Sequence, residues 1–198
     1  WSDGFVGVWH LKEGNAQDST ANRYNGAAYG GVVNAAGQIG IGQSFNGSAS
    51  YIDIADVPAS FTNNGITVSV WGYPTASPNG PRFMDFGNDA GVDNILFGRN
   101  GTSADLSHNV FDYTTAGTEI KAVGAIANGQ WQYFAAAENN AGAAVLYKNG
   151  VQAASGTTAI PRSIPRHRNY IGRSNWGADA YYEGLMDEMR IESVRRSS

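Results

Sequence analysis

Residues 144–153 read Ala-Val-Leu-Tyr-Lys-Asn-Gly-Val-Gln-Ala, which places Asn149-Gly150 between two apolar runs. Both residues tolerate the positive φ angles that a two-residue hairpin turn requires, so this arrangement is a strong local signal for a hairpin. The stretch therefore predicts two antiparallel strands, Ala144–Tyr147 and Val151–Ala153, joined by a tight turn.

The same turn signal recurs along the chain between short apolar segments. Six further Asn-Gly pairs are present: Asn25-Gly26, Asn46-Gly47, Asn64-Gly65, Asn79-Gly80, Asn100-Gly101 and Asn128-Gly129. The segments with a strand-like pattern are Phe5–Leu11, Ser50–Ile54, Ile66–Tyr73, Asn94–Phe97, Trp131–Ala136, Ala144–Lys148 and Leu185–Ile191. Many strands with frequent turns predict an all-β fold of two packed antiparallel sheets.

The segment Ile66–Tyr73 shows the strand period most clearly. Ile66, Val68 and Val70 alternate with Thr67, Ser69 and Trp71, as expected for a strand with one buried face. No stretch has a persuasive helical period. We predict strand and loop for the two Ala-rich stretches, residues 122–127 and 135–143.

Length and composition favour one large domain. The chain has 198 residues, 42% of them hydrophobic and 15% charged, with 26 glycines. All-β domains often reach about 200 residues around a single core. No linker or solenoid-length repeat divides the chain, so residues 1–198 are predicted to form one domain. Because it lacks an initial Met and ends abruptly at Ser198, we expect it to come from a larger multidomain protein.

Charge and composition exclude several kinds of partner. The formal net charge is -4 and the 13 basic residues are scattered, so no nucleic acid is expected as partner. No apolar run approaches the roughly 20 residues of a membrane span, so no membrane insertion is expected. The absence of cysteine rules out disulfides and zinc–thiolate sites.

One basic cluster lies among prolines and comprises Arg162, Arg166, His167 and Arg168. We interpret it as a solvated loop. The alternative is a surface that meets an acidic ligand.

Seven pieces of the sequence stand in a recognisable order. They are Gly7–Leu11 with Asp18–Asn22, Ser44–Gly47 with Tyr51–Ile54, Ile66–Trp71, Gly129–Tyr133, Leu146–Gly150, Tyr170–Gly172 and Glu183–Ile191. Together they resemble the laminin-G-like, concanavalin A-like lectin/glucanase jelly-roll family of bacterial extracellular proteins, which is related to the pentraxins. The resemblance implies a jelly-roll β-sandwich at a secreted or cell-surface location. It also places Trp9, Trp71 and Trp131 in core segments.

The resemblance further implies a structural calcium ion between an early loop and the last strand. Its ligands would come from Asp18, Asn22 and Asp187, since calcium takes six to eight oxygen ligands. The alternative is that Asp18 bonds its own turn and that Asp187 pairs with Arg190 or another arginine. A second candidate calcium group lies where pentraxins bind ligands, with a solvated loop as its alternative; it comprises Asn88, Asp89, Asp93 and Asn94.

Sugar binding requires an exposed aromatic ring, because the ring packs against the apolar face of a sugar while nearby polar groups bond its hydroxyls. Trp176 is the leading candidate, since it lies in a polar loop with no core to fill. The expected polar contacts are Arg173, Asn94, Asn175 and Asp179, with Arg99 and Tyr113 on neighbouring concave strands. The alternative is that Trp176 only covers its own loop.

Catalysis is not expected. A retaining glycosidase needs two carboxylates about 5 Å apart, and the patterns of the sandwich glycanases, Glu-x-Asp-x-x-Glu and Glu-x-Asp-x-Glu, do not occur. On a regular strand Asp187 faces away from Glu188 and Glu192, so these carboxylates do not converge. An enzymatic alternative to the non-catalytic module is a polysaccharide lyase that uses His108, Tyr113 and Arg99.

The sequence thus predicts a non-catalytic, monomeric carbohydrate-binding module. It would tether the other domains of a larger secreted or cell-surface protein to polysaccharide or glycan. The alternative is a protein–protein adhesion module that uses the same rim of loops. A third hypothesis is a lyase or glycoside hydrolase of the same fold.

Overall fold

The computed structural model describes residues 1, 3–12, 14, 16–113 and 117–197. This part of the chain forms fifteen β-strands and a 3₁₀ helix, Ala59–Thr62. The strands are β1 (Phe5–Trp9), β2 (Gly26–Tyr29), β3 (Val33–Ala36), β4 (Ile41–Asn46), β5 (Tyr51–Ile54), β6 (Ile66–Pro74), β7 (Arg82–Gly87), β8 (Ile95–Arg99), β9 (Leu106–Val110), β10 (Thr118–Ala122), β11 (Gln132–Glu138), β12 (Ala143–Lys148), β13 (Val151–Thr157), β14 (Arg168–Ile171) and β15 (Glu183–Glu192). Within the described ranges, no helix has the length and apolarity needed to span a membrane.

The strands form two antiparallel sheets that pack as a sandwich. Sheet A has the order β13-β12-β11-β6-β15-β4-β3, and β1 also pairs with β15. Sheet B has the order β10-β9-β8-β7-β14-β5-β2. The predicted all-β jelly-roll architecture is confirmed.

The core lies between the sheets. Ile66, Val68 and Val70 of β6 are buried there, as their alternation predicts. Phe83 of β7 stacks on Phe134 of β11 with ring centroids 5.2 Å apart, which joins the two sheets. Apolar burial of this kind supplies the main driving force for the fold.

The Asn149-Gly150 turn joins β12 to β13 as predicted. Lys148 pairs with Val151, and φ is 51° at Asn149 and 79° at Gly150. Two consecutive positive φ angles define the turn type whose twist matches that of the flanking strands. In six of the seven Asn-Gly pairs the glycine has a positive φ.

Two tryptophans predicted to pack in the core lie instead on the outer face of sheet A. Trp71 and Trp131 are partly exposed, with ring centroids 5.3 Å from Tyr133 and 5.7 Å from Tyr73, respectively. The prediction is wrong for both, because Trp71 alternates with the buried Val70, and Trp131 has the parity of Tyr133, which pairs with Trp71. It holds for Trp9, which is fully buried.

Strand β15 contains a β-bulge between Asp187 and Arg190. Before the bulge it pairs with β4, and after it with β1. Asp187 lies opposite Trp71 and Arg190 opposite Ser69, so both face outward, and Arg190 donates a hydrogen bond to Glu188. The extra residue breaks the alternation, so the prediction that Asp187 faces away from Glu188 is wrong.

The basic cluster is only partly the solvated loop that the sequence suggests. Arg166 is fully buried, and its guanidinium lies 5.2 Å from the Phe61 ring and donates hydrogen bonds to three backbone carbonyls. Burial lowers the pKa of Arg166 to about 10. Arg162, His167 and Arg168 are exposed, and each pairs with an aspartate. Arg166 is therefore structural.

Candidate functional site

A loop crosses the outer face of sheet B. Residues 172–182, the 172–182 loop, follow β14 and are closed by a 2.9 Å hydrogen bond from Tyr182 N to Gly172 O. Asn175 N donates a 2.6 Å hydrogen bond to Oδ2 of Asp85, which lies on β7 beneath the loop. The side chains of the loop therefore lie over the middle strands of the sheet.

Asp85 anchors this loop and is fully buried. Its other carboxylate oxygen accepts a 2.8 Å hydrogen bond from Nδ2 of Asn94. Burial raises the pKa of Asp85 to about 6, although the hydrogen bonds from Asn175 and Asn94 and the charge of Arg82 oppose that rise. Desolvation thus outweighs the favourable contacts to the ionised carboxylate.

Trp176 lies beside a groove on the same face. Its ring is half-buried and lies 5.0 Å from the ring of Phe111, centroid to centroid. The groove has a volume of about 210 Å³, and its other lining residues are Arg82, Leu96, Asn109 and Asp179. The strands β7, β8 and β9 supply its floor, so a ring surface stands next to polar groups on a rigid support.

The polar wall of the groove is held in place by contacts within the chain. Nη2 of Arg82 lies 3.0 Å from Oδ2 of Asp179, and the same oxygen accepts a 2.8 Å hydrogen bond from Ser174 Oγ. Nη1 of Arg82 donates to the carbonyl oxygen of Arg99 at 3.0 Å. Side chains that are already fixed lose little conformational entropy on binding.

A cluster of tyrosines lies on the same face, over β2, β5 and β14. The Arg173 guanidinium lies 4.7 Å from the ring centroid of Tyr170, 4.8 Å from that of Tyr51 and 5.9 Å from that of Tyr181. Tyr29 stacks on Tyr51 at 5.1 Å. Neighbouring strands are about 4.8 Å apart, so the face from β2 to β9 spans roughly 24 Å.

Of the predicted ligand-binding residues, Trp176 and Asp179 line the groove, Arg173 lies in the tyrosine cluster, and the Asn175 side chain donates a hydrogen bond to Arg168 O. Trp176, Arg173, Asn175 and Asp179 all lie in the 172–182 loop over sheet B. Asn94 lies beneath them but is fully buried and bonded to Asp85. The prediction that Asn94 contacts a ligand is wrong, because the side chain supports the loop from below.

Arg99 and Tyr113 do not join this group. Arg99 is 3% exposed, and its guanidinium donates hydrogen bonds to Ser103 O and to Oδ1 of Asn128. Its strand parity is that of the buried Phe97, so it faces the interior and not the concave surface, which corrects the prediction. Tyr113 is 67% exposed beyond the end of β9 and does not line the groove.

Asp18 fits the turn role better than a calcium role. Its Oδ1 accepts hydrogen bonds from Val8 N at 3.0 Å and Thr20 N at 2.9 Å. Its Oδ2 accepts from Thr20 Oγ1 at 2.8 Å and Tyr24 N at 2.9 Å. Asn22 directs its amide nitrogen to Val6 O. Calcium binds oxygen lone pairs, and those of Asp18 already meet four donors.

The other predicted calcium ligands also have partners in the chain. Oδ2 of Asp187 accepts a 2.7 Å hydrogen bond from Ile39 N, and burial raises its pKa. Asp89 pairs with Arg168 at 3.1 Å and Asp93 with Arg162 at 3.2 Å. In the ranges given above, no three His, Asp or Glu side chains group as metal ligands. These residues do not fit a calcium site.

The residues of the lyase alternative do not converge. His108 of β9 is fully buried, with Nε2 2.8 Å from Oε2 of Glu138 and Nδ1 3.1 Å from Leu96 O. Tyr113 is exposed and Arg99 faces the interior. The set of His108, Tyr113 and Arg99 is therefore not an active site, and the lyase assignment based on it is wrong.

Several residues of this face were missed from sequence. Asp85 carries the clearest signal, because it stands alone among apolar residues in Phe83–Phe86 and a buried carboxylate needs polar partners. Phe111, Tyr51 and Tyr170 lie in or beside strands, and only the sheet order shows that they share a face with Trp176.

Solved structures of known proteins share this fold. Domain 4 of AbnA, a GH43 extracellular arabinanase from Geobacillus stearothermophilus, in complex with arabinotriose, matches with a TM-score of 0.75 at 23% identity, over 100% of this chain and 96% of that chain. The binding domain of botulinum neurotoxin DC in complex with rat synaptotagmin II matches with a TM-score of 0.76 at 11% identity, over 98% of this chain and 49% of that chain. At these identities the likeness shows the fold alone.

No curated protein matches the chain. A laminin G family model, described as the concanavalin A-like lectin/glucanases superfamily, matches residues 46–198, which is more than half of the sequence. Five of the seven sequence segments lie wholly within the matched residues. The chain therefore belongs to the concanavalin A-like lectin/glucanases superfamily.

Proposed function

We propose that the chain is a non-catalytic carbohydrate-binding module and that the outer face of sheet B binds the glycan. The observation that carries this proposal is the half-exposed Trp176 ring, which stands beside Phe111 at a groove lined by Arg82 and Asn109. A sugar offers an apolar C–H face to such a ring and hydroxyls to the polar groups around it.

The groove is suited to weak binding of a glycan that lies across it and is too small to enclose a ligand. Its volume of about 210 Å³ is smaller than the roughly 300–1,000 Å³ of pockets that enclose small molecules. A shallow groove excludes water poorly, so the affinity of one module is modest. Support comes from the arabinanase domain of the same fold, which is in complex with arabinotriose.

In this proposal the module is monomeric and tethers a larger secreted or cell-surface bacterial protein to polysaccharide or to cell-surface glycan. A second candidate function is protein–protein adhesion. It is favoured by the partly exposed aromatic side chains on the outer face of sheet A, which are Trp71, Tyr73, Trp131 and Tyr133. Aromatic residues are enriched where proteins meet.

Retention on polysaccharide gels tests the proposal with two matched tryptophan variants. Trp176→Ala removes the ring at the groove, whereas Trp131→Ala removes a partly exposed ring from the opposite sheet. We expect Trp176→Ala to weaken glycan binding roughly tenfold or more, because ring contact and apolar burial are both lost. Trp131→Ala should bind as the wild type does.

Two results would contradict the proposal. One is equal glycan binding by wild type and Trp176→Ala; the other is a wild type that no polysaccharide retains while Trp131→Ala loses a protein partner. Release of reducing ends, or of unsaturated sugar detected by ultraviolet absorbance, would overturn the non-catalytic assignment.

A further inference from the structure

The Arg173 side chain has an unused hydrogen-bonding edge. Its guanidinium touches the rings of Tyr51, Tyr170 and Tyr181, and no carboxylate or carbonyl of the described chain accepts a hydrogen bond from it. Arginine is planar, and its donors lie in that plane while the rings attract the cation through their faces. The tyrosines thus hold the group, and its N–H donors have no carboxylate or carbonyl partner in the described chain.

An acceptor stands on the same face. Asp53 of β5 lies opposite Tyr170 of β14 in the antiparallel register, so the two side chains share the outer surface of sheet B. Burial raises the pKa of Asp53, the charge of Arg173 lowers it, and the charge of Asp56 raises it. Asp53 and Arg173 are close enough to interact electrostatically but form no ion pair.

A donor fork, an acceptor and ring surfaces together match one kind of ligand. A sugar hydroxyl both donates and accepts, so neighbouring hydroxyls satisfy Arg173 and Asp53 at once. A carboxylate satisfies only Arg173 and is repelled by Asp53, with Asp56 adding negative charge nearby. The chain also carries a formal charge of -4, which disfavours the approach of polyanions.

We propose that Arg173, Asp53, Tyr51, Tyr170 and Tyr181 form a second sugar subsite beside the Trp176 groove, and that this subsite selects neutral sugar units over uronates. The proposal rests on the carbohydrate-binding function above and adds its ligand class. A glycan that lies across the strands from the tyrosine cluster to Trp176 contacts both subsites, which compensates for the shallowness of each.

Calorimetric titration with matched oligosaccharides tests the selectivity. The probes are pairs that differ by a C6 carboxylate: galactan and galacturonan, glucan and glucuronan, mannan and mannuronan fragments. In every pair with measurable binding, we expect the neutral member to bind more tightly. Asp53→Asn removes the repelling charge, so this variant should narrow or reverse the preference.

Substitutions at the arginine test the subsite itself. Arg173→Gln should weaken binding of the neutral fragment roughly ten- to a hundredfold, as expected for lost hydrogen bonds to a charged group. Arg173→Lys keeps the charge and removes the planar fork, so it should show a similar loss even if Arg173→Gln folds poorly. Arg162→Gln is the matched control, because it removes an exposed arginine that lies outside the tyrosine cluster.

The outcomes separate this proposal from the general function. If Trp176→Ala weakens binding but both Arg173 variants bind like the wild type, the module binds carbohydrate and the second subsite is refuted. Tighter binding of uronates by the wild type would refute the selectivity. If none of the six fragments binds, the carbohydrate-binding function and this subsite both fall.

Discussion

At the scale of single residues, Asp85 holds the 172–182 loop on the outer face of sheet B. Met84 and Phe86 face the core, so Asp85 faces outward and is covered by the 172–182 loop. The loop gains an acceptor for Asn175 N, while the carboxylate loses its water. Its pKa of about 6 shows that this exchange destabilises the ionised form. The position of Trp176 therefore depends on the carboxylate of Asp85, whose ionised form is destabilised by burial.

This coupling predicts a specific pH dependence of stability. Between the unfolded pKa near 3.8 and the folded pKa of about 6, the folded chain holds a proton on Asp85 that the unfolded chain has lost. The contribution of Asp85 to stability is thus fully present below about pH 4 and is lost as pH rises through 6. The difference amounts to about 3 kcal/mol.

Urea unfolding of wild type and Asp85→Asn at several pH values from 4 to 7 measures that contribution. The Asn variant lacks this titration, so the stability of wild type minus that of the variant should fall as pH rises. Subtracting the stability of the variant removes the contributions of the other titrating groups. A difference that does not change with pH would contradict the assignment.

Sequence predicts the exposure of a candidate residue well when the residue is conspicuous in its local context, and poorly when that exposure depends on strand parity. Trp176 stands in a polar loop, and its partial exposure on the outer face of sheet B follows from that context. Arg99 looks similar in sequence to Arg173, but its position in β8 turns it toward the interior. Tyr51 and Tyr170 approach each other only because β5 and β14 are neighbours in sheet B.

At the scale of elements, the β12–β13 hairpin shows how local signals set the fold. Asn149 N donates to Tyr133 O, and Tyr133 N donates to Oδ1 of Asn149, so the turn is also tied back to β11. Gly150 has a φ of 79°, and a Cβ placed there meets no atom within 4 Å. The backbone angle alone therefore demands glycine at this position.

Gly150→Ala should destabilise the protein by about 1 kcal/mol. The left-handed conformation costs an L-residue about 1–2 kcal/mol, and the reduced entropy of the unfolded chain offsets part of this. Gly177→Ala is the matched control, since a Cβ there also meets no atom within 4 Å and φ is not in the left-handed range. Chemical denaturation of both variants decides: equal stabilities would show that backbone strain at the turn is not the reason for Gly150.

The sequence predicts β13 only as far as Ala153 and does not predict β7, and both stretches lack the alternating period that identifies a strand. β13 is an exposed edge strand of small and polar residues, so it has no apolar face beyond its start. In β7 the outward Asp85 is as buried as its inward neighbours, because a loop covers it. Apolar and polar residues alternate along a strand when one face is buried and the other is exposed. Both faces of β7 are buried and both faces of β13 are exposed, so neither strand shows this pattern.

At the scale of the whole molecule, strand pairing joins the two ends of the described chain. Phe5 of β1 lies opposite Glu192 of β15, Ser193 N donates to Gly4 O, and Arg196 donates to Asp3 O. These contacts hold the two ends together, which is the role predicted for a calcium ion between the early loop and the last strand. The chain has no disulfides, so this pairing is a main restraint on its ends.

The architecture therefore predicts that calcium leaves stability unchanged. A site filled at a hundred times its Kd would add about 2.7 kcal/mol, which a thermal melt detects easily. We expect the same Tm in millimolar calcium and in EDTA. Asp18→Asn should lower Tm equally in both, because the hydrogen bonds from Val8, Thr20 and Tyr24 weaken when the acceptor loses its charge. If calcium raised Tm and Asp18→Asn abolished that rise, the predicted calcium site at Asp18 would be supported. The hydrogen-bond donors around Asp18 would then have to rearrange to admit the ion.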